Sequence, residues 1–173
     1  MANRKLGRTA DHRKALLKNQ VTNVILHGQI TTTESKAKEV KSLVDSLMAL
    51  ACKEKDNFEM VDKKVSRVKL DSNNNKVTET VKSKNGNSYD RVVREVVTVQ
   101  AKQDKPSRLA ARRTIMKNIN KVKDEKGNNI DLPTKMFDEL APKYAKNNGG
   151  YTRIIKLGKR RGDAAEEVIL QLV

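Results

Sequence analysis

Residues 149–173 read GGYTRIIKLGKRRGDAAEEVILQLV, and this stretch decides the architecture. Gly149 and Gly150 supply a turn into residues 151–157, where apolar and polar side chains alternate at the period of a half-buried strand. Residues 158–163 form a basic loop, and Val168, Leu170 and Leu172 then share one face of a second strand over 165–173. The second strand has an apolar face to bury, and the loop held between the two strands carries Lys159, Arg160 and Arg161.

Helices that can cover this face lie upstream. From about residue 9, Leu17, Val21, Val24 and Ile25 recur at helical spacing, with Thr9 placed as N-cap and Gly28 as the stop. Residues 29–33 read as a short strand, and Thr31 with Glu34 three residues on signals a capping box for the next helix. That helix carries Ala37, Val40, Val44, Leu47, Met48 and Ala51 on one stripe, most simply a core face. Pro106 and Ser107 restart helix with Ser107 as N-cap; Leu109, Ile115, Met116 and Ile119 follow, while Arg108, Arg112 and Arg113 project. Residues 120–131 read as a polar loop. Pro133 opens a further helix with Met136, Phe137, Leu140, Ala141 and Tyr144 facing inward, and Pro142 ends or kinks it.

Residues 53–104 differ in texture. Val-rich runs flank two turn clusters, Asp71 to Asn75 and Asn85 to Ser88, which predicts a three-stranded meander; a helix over 90–102 is the alternative. The expected fold class is α/β: a small compact domain of about four helices on a three-stranded sheet, with an extended basic N-terminal arm and an inserted β-rich module. The arm is placed at 1–8, the core domain at 9–52 and 105–173, and the inserted module at 53–104.

Composition bounds the function. The chain has 173 residues, with 37 Lys and Arg against 21 Asp and Glu, a net charge of +16. Leu, Ile, Val and Phe make up 41 residues, enough for a modest core despite the charge. One Cys and no Trp exclude a disulfide scaffold and speak against a Cys-based zinc site. No apolar run approaches a transmembrane helix and no secretory signal is visible, so a cytoplasmic location is expected. The charge excess is confined to three blocks: residues 1–18 at +5, 105–126 at +6 and 143–161 at +7, which leaves the rest of the chain at −2. Such concentration points to a polyanion, nucleic acid first.

No catalytic constellation accompanies this charge. His12 and His27 lack metal-ligand spacing, no phosphate-cradling glycine fingerprint occurs, and no paired carboxylates share a predicted face. Cys52 reads as a small hydrophobe, and Arg161-Gly162-Asp163 as a tight turn. Neither a cofactor nor a small-molecule substrate is expected. Only five aromatic residues are present, so broad stacking on single strands is disfavoured and phosphate and shape recognition of folded RNA or duplex is expected.

Three segments, NRKLGRTADHRKALLKNQVTNVILHGQITTTESKAKEVK (3–41), FDELAPKYA (137–145) and the 149–173 stretch, resemble the bacterial large-subunit ribosomal protein seventeen family, with weaker similarity at LAARR (109–113). The resemblance implies a structural, non-catalytic protein that binds large-subunit rRNA beside other ribosomal proteins near the outer end of the peptide exit tunnel. It carries rRNA contacts over to Arg4, Lys5, Arg8, His12 and Arg13, to Arg112 and Arg113, and to Tyr151, Arg153, Lys159, Arg160 and Arg161; Lys18 and Lys156 of the basic blocks join them as candidates. It also implies a short connection where residues 53–105 stand here. The near charge balance of that insert predicts that it projects from the subunit surface and stays off rRNA. A general RNA- or DNA-binding protein, nucleoid or regulatory, is the alternative, although no recognition helix or minor-groove wedge is evident. An RNA-processing enzyme lacks its carboxylates, and the apolar helix faces are better used as core than on a membrane.

Overall fold

The computed structural model describes residues 4–173; residues 1–3 of the predicted arm lie outside the described residues. Helix α1 spans Ala10–His27 and buries Leu17, Val21, Val24 and Ile25. Gly28 ends it in the left-handed region (φ 81°), with its N–H donating to the Val24 carbonyl at 2.8 Å. Lys135 Nζ donates to the Leu26 carbonyl at 2.9 Å, satisfying another acceptor that the helix terminus leaves open. Thr9 is the N-cap by position, yet its side chain makes no capping bond.

Strand β1 (Gln29–Thr33) leads directly into α2 (Glu34–Glu54). Thr33 is the N-cap of α2 and Thr31 lies within the strand, so the expected capping box does not form. Strand pairing draws Thr31 into register with Ile169 and away from the helix start. The stripe Ala37, Val40, Val44, Leu47, Met48 and Ala51 is buried throughout, as its spacing predicts.

The two predicted strands, β8 (Thr152–Lys159) and β9 (Glu166–Leu172), pair as a hairpin, and β9 pairs antiparallel with β1 on its other side, giving the order β1-β9-β8. Val168 and Leu170 are fully buried from this central strand. Each contributes roughly 1.5–3 kcal/mol of hydrophobic stabilisation against the helical layer.

Helix α3 (Pro106–Asn118) begins at Lys105 as N-cap. Ser107, the expected cap, instead donates through its hydroxyl to Glu54 at 2.9 Å, while Asn57 Nδ2 bonds both Glu54, at 2.8 Å, and Ser107. These hydrogen bonds, Asn57's first and Ser107's next, hold the Glu54 carboxyl below its ordinary pKa. Lys105 N–H donates to the Asn57 carbonyl at 3.2 Å. The two chain crossings, at 54–57 and 104–108, are therefore clamped together.

The predicted loop at 120–131 contains a small hairpin, β6 (Val122–Lys123) with β7 (Asn129–Ile130), because Asp124 and Gly127 close a tight turn. The last helical segment runs through α4 (Leu132–Lys135), a π-turn at Met136–Leu140 and α5 (Ala141–Lys143). Pro142 lacks the N–H that would reach the Asp138 carbonyl, and the helix widens just before it, with Ala141 N–H donating to Met136.

Contacts divide the chain into two units: residues up to Asn57 with Asp104–Val173, and Phe58–Gln103. Within the second, β2 (Phe58–Val68) pairs with β5 (Arg94–Asp104) and β3 (Thr78–Lys82) with β4 (Ser88–Val92). The expected meander is not formed, nor is the alternative helix over 90–102. Three hairpin arms meet instead: β2 with β5, β3 with β4, and a short turn closed by the Leu70–Lys76 bridge. At their junction Lys69 N–H donates to Val93, Val93 to Val77 and Val77 to Lys69, at 2.9, 2.9 and 3.0 Å. The two turn clusters each close a local hairpin, through Asn74 (φ 62°) and Gly86 (φ 80°), and leave β2 and β5 as the only long partners.

Candidate nucleic-acid interface

Residues 4–8 of the predicted arm are not extended. Leu6 and Gly7 take left-handed backbone angles, Arg8 N–H closes back on the Lys5 carbonyl at 3.2 Å, and Leu6 packs on the margin of the core. Arg4 pairs with Glu39 of α2 at 2.8 Å, so its charge is already engaged, whereas Lys5 and Arg8 are exposed. The apolar Leu6 and the Arg4–Glu39 pair give this segment internal reasons to fold.

Arg13 on α1 donates through Nη1 to the Arg4 carbonyl at 3.2 Å, which fixes the guanidinium beside the turn. His12 is exposed and Lys18 half-buried on the same helix. Arg13 and Lys18 line a groove that Lys14, Leu17, Leu43 of α2 and Lys117 of α3 complete. Lys14 is a residue that the sequence reading passed over. Its spacing of four from Lys18, which places both on one helix face, is the signal that finds it. Lys117 comes from the end of α3, and no local pattern ties it to α1.

The β8–β9 hairpin presents the second basic group. Arg153, Lys156, Lys159, Arg160 and Arg161 are all exposed. Lys156 lies 3.7 Å from Glu34, whose carboxyl is held below its ordinary pKa by Lys38 first and then by Lys156. At the tip Arg160 grips Asp163 in a two-pronged pair, Nε at 2.6 Å and Nη2 at 2.7 Å, and Asp163 also accepts from Ala165 N–H at 3.2 Å. This bonding, the Arg160 hydrogen bond foremost, pushes the Asp163 carboxyl far below the carboxylate range and raises the Arg160 guanidinium. The pair persists from the ordinary carboxylate range upward and is lost only as pH falls through the depressed value. Arg160 therefore shapes the loop, and Lys159 and Arg161 on either side carry no ion pair among the described residues.

Two expected contact residues point inward. Tyr151 is 4% exposed, meets Tyr144 edge-on at 6.0 Å and donates its hydroxyl to the Asn147 carbonyl. Arg112 bonds Asp104 at 2.5 Å and Thr134 at 2.9 Å, with its guanidinium 5.4 Å from the Phe137 ring centre. Arg108, read as projecting, is 1% exposed; Asp104 lies 3.2 Å from its Nε, Asp138 3.4 Å from Nη2, and the Phe137 ring is 4.7 Å away. The residues at i and i+4 of α3 turn toward the core because Asp104 and Phe137 supply opposite charge and an aromatic face there. Arg113, one position on, is exposed.

Among the described residues no group of His, Cys, Asp and Glu forms a metal cluster, and no helix is long and apolar enough to cross a membrane. Cys52 donates its thiol to the Ala141 carbonyl at 3.7 Å, and burial pushes its pKa up, away from the thiolate.

The profile of the family described as Ribosomal protein L17 matches residues 16–173. The large ribosomal subunit protein bL17 of Acetivibrio thermocellus is 56% identical over 172 residues, covering 99% of both chains. That of Ruminiclostridium cellulolyticum is 53% identical over 170 residues, with 98% of each covered, and that of Ligilactobacillus salivarius 34% over 175 residues, with 100% and 99% covered. Coverage this complete leaves no room for a short connection in place of residues 53–105. The intervening stretch is shared with these relatives and is not peculiar to this chain.

Proposed function

The chain belongs to the ribosomal protein L17 family, and from that premise we propose that it grips large-subunit rRNA with two sets of cations, one on α1 and the other on the β8–β9 hairpin. It is a structural, non-enzymatic constituent of the large ribosomal subunit and acts in translation in the cytoplasm, with rRNA and other ribosomal proteins as partners. On this reading Lys5, Arg8, His12, Arg13 and Lys18 meet phosphates from the first set, and Arg153, Lys156, Lys159 and Arg161 from the second. Arg113 adds a third point of contact. Arg4, Arg112, Arg160 and Tyr151 serve by holding the surfaces that present these groups. The same reading places the protein near the outer end of the peptide exit tunnel, with Phe58–Gln103 at the subunit surface and off the rRNA.

The observation that carries the reading is the hairpin tip: two exposed cations, Lys159 and Arg161, flank an arginine that is already spent on bracing the loop. A rigid cationic tip loses little conformational freedom when it meets phosphate, and each contact releases counterions. Lys159→Glu with Arg161→Glu leaves the Arg160–Asp163 brace in place and reverses only the free charges. Sedimentation of cell lysate through sucrose in high salt should find the parent protein on the large subunit in full amount and the double variant depleted from it. Normal incorporation of the variant would remove this loop from the interface. Absence of the parent protein from the large subunit would remove the reading as a whole.

A further inference from the structure

We infer that the groove between α1, α2 and α3 takes one extruded nucleotide of RNA, an inference that rests on the rRNA-binding reading. The cavity has a volume of about 370 Å³. That lies at the lower end of the ~300–1,000 Å³ range of small-ligand pockets, room for one base and its ribose but not for a helix. Leu17 and Leu43 form an apolar floor, Leu43 being 37% exposed although it sits in the middle of α2. Arg13, Lys14, Lys18 and Lys117 stand around that floor, and Asp11 is the one acid among the lining residues. The three lysines make no ion pair among the described residues, so their charge is available.

Charge and floor together select the occupant. A continuous duplex buries its base faces and offers phosphates alone, which leaves Leu17 and Leu43 unused. An apolar side chain from a protein covers the leucines but leaves four cations against one acid. A flipped-out nucleotide satisfies both, with its base on the leucines and its flanking phosphates on the rim, the arrangement by which unpaired RNA positions are usually read. Arg13 is prepared for this. One of its five donors is bound to the Arg4 carbonyl, which sets the plane of the guanidinium, and its enclosed Nε has no partner. The first turn of α1 opens at Thr9 without a side-chain cap, so its amides add to the positive field at that end of the groove.

The test uses the full-length protein and two RNA probes, a duplex carrying a single unpaired 2-aminopurine and the same duplex fully paired. The bulged probe should bind roughly tenfold more tightly, the discrimination expected of one apolar contact region, and its fluorescence should change on binding. Leu43→Asn should abolish that preference, and Lys117→Ala should weaken the bulged complex. Leu109→Asn, at an equally exposed leucine on α3 outside the groove, should leave the preference intact, which controls for folding. Equal binding of both probes, or a preference that survives Leu43→Asn, overturns the inference while rRNA binding stands. Failure to bind either probe or large-subunit rRNA overturns the rRNA-binding reading as well.

Discussion

In the unit formed by residues up to Asn57 and from Asp104 on, 22 hydrophobic side chains are buried; in Phe58–Gln103 none is, among the described residues. Yet the second unit is not short of apolar residues: Met60, Val61, Leu70, Tyr89 and Val96 are all exposed there. Its three arms are tied by the backbone cycle of Lys69, Val77 and Val93 and by cross-strand bonds such as that of Arg94 to Ser66 at 2.9 Å. Hydrogen bonds exchanged with water contribute far less net stability than a core, and isolated two-stranded ribbons are marginal. The two regions therefore illustrate two ways of fixing a chain, one by packing and one by local closure. The charge follows the same division. Residues 143–161 in the packed unit hold seven bases and no acid, whereas Phe58–Gln103 holds ten bases and six acids over more than twice the length.

The sharpest break in this contrast falls at the point where the chain returns to the packed unit. Asp104 is the partner of both Arg108, 1% exposed, and Arg112. Asp104→Ala strands a buried guanidinium and should cost about 3–5 kcal/mol, read as a lowered urea midpoint. A loss below about 1 kcal/mol would mean that Asp138 and the Phe137 ring suffice for Arg108.

A matched pair of truncations measures the contrast itself. Leu170→Ala, fully buried in the central strand, should destabilise by about 2–5 kcal/mol. Val96→Ala, 68% exposed in β5, should stay within about 0.5 kcal/mol. Equal losses in chemical denaturation would refute the division into packed and locally closed regions.

The smallest effect is expected from the largest change. Because Asn57, Glu54, Lys105 and Ser107 clamp the two crossings, replacing 58–103 by a short glycine linker should shift the stability of the remaining unit by less than about 1 kcal/mol. Calorimetry of the deleted protein checks it, and collapse of the remaining unit would show that the second unit is needed for folding.

Legibility in the sequence followed the range of the forces involved. The stripes of α1 and α2, the strands β8 and β9 and the Gly28 stop depend on residues a few positions apart, and their spacing announces them. The three blocks of positive charge are likewise additive along the chain, and with the family resemblance they pointed to RNA. The local signals failed where a distant partner entered. Ser107 was free to cap a helix until Glu54 and Asn57 met it, and Thr31 until β9 did. The meander failed because three segments, 8, 16 and 24 residues apart at Lys69, Val77 and Val93, close one hydrogen-bond cycle.

What the sequence determined by itself is that this chain carries an α/β core and that its excess charge is gathered for a polyanion. Only the tertiary structure decided which cations stay free of ion pairs among the described residues. Lys14, Lys18 and Lys117 open onto a shared groove while Arg108 and Arg112, alike in sequence, turn inward. The reason is electrostatic and geometric: a side chain faces whichever neighbour best compensates its charge, and that neighbour is set by packing across distant segments.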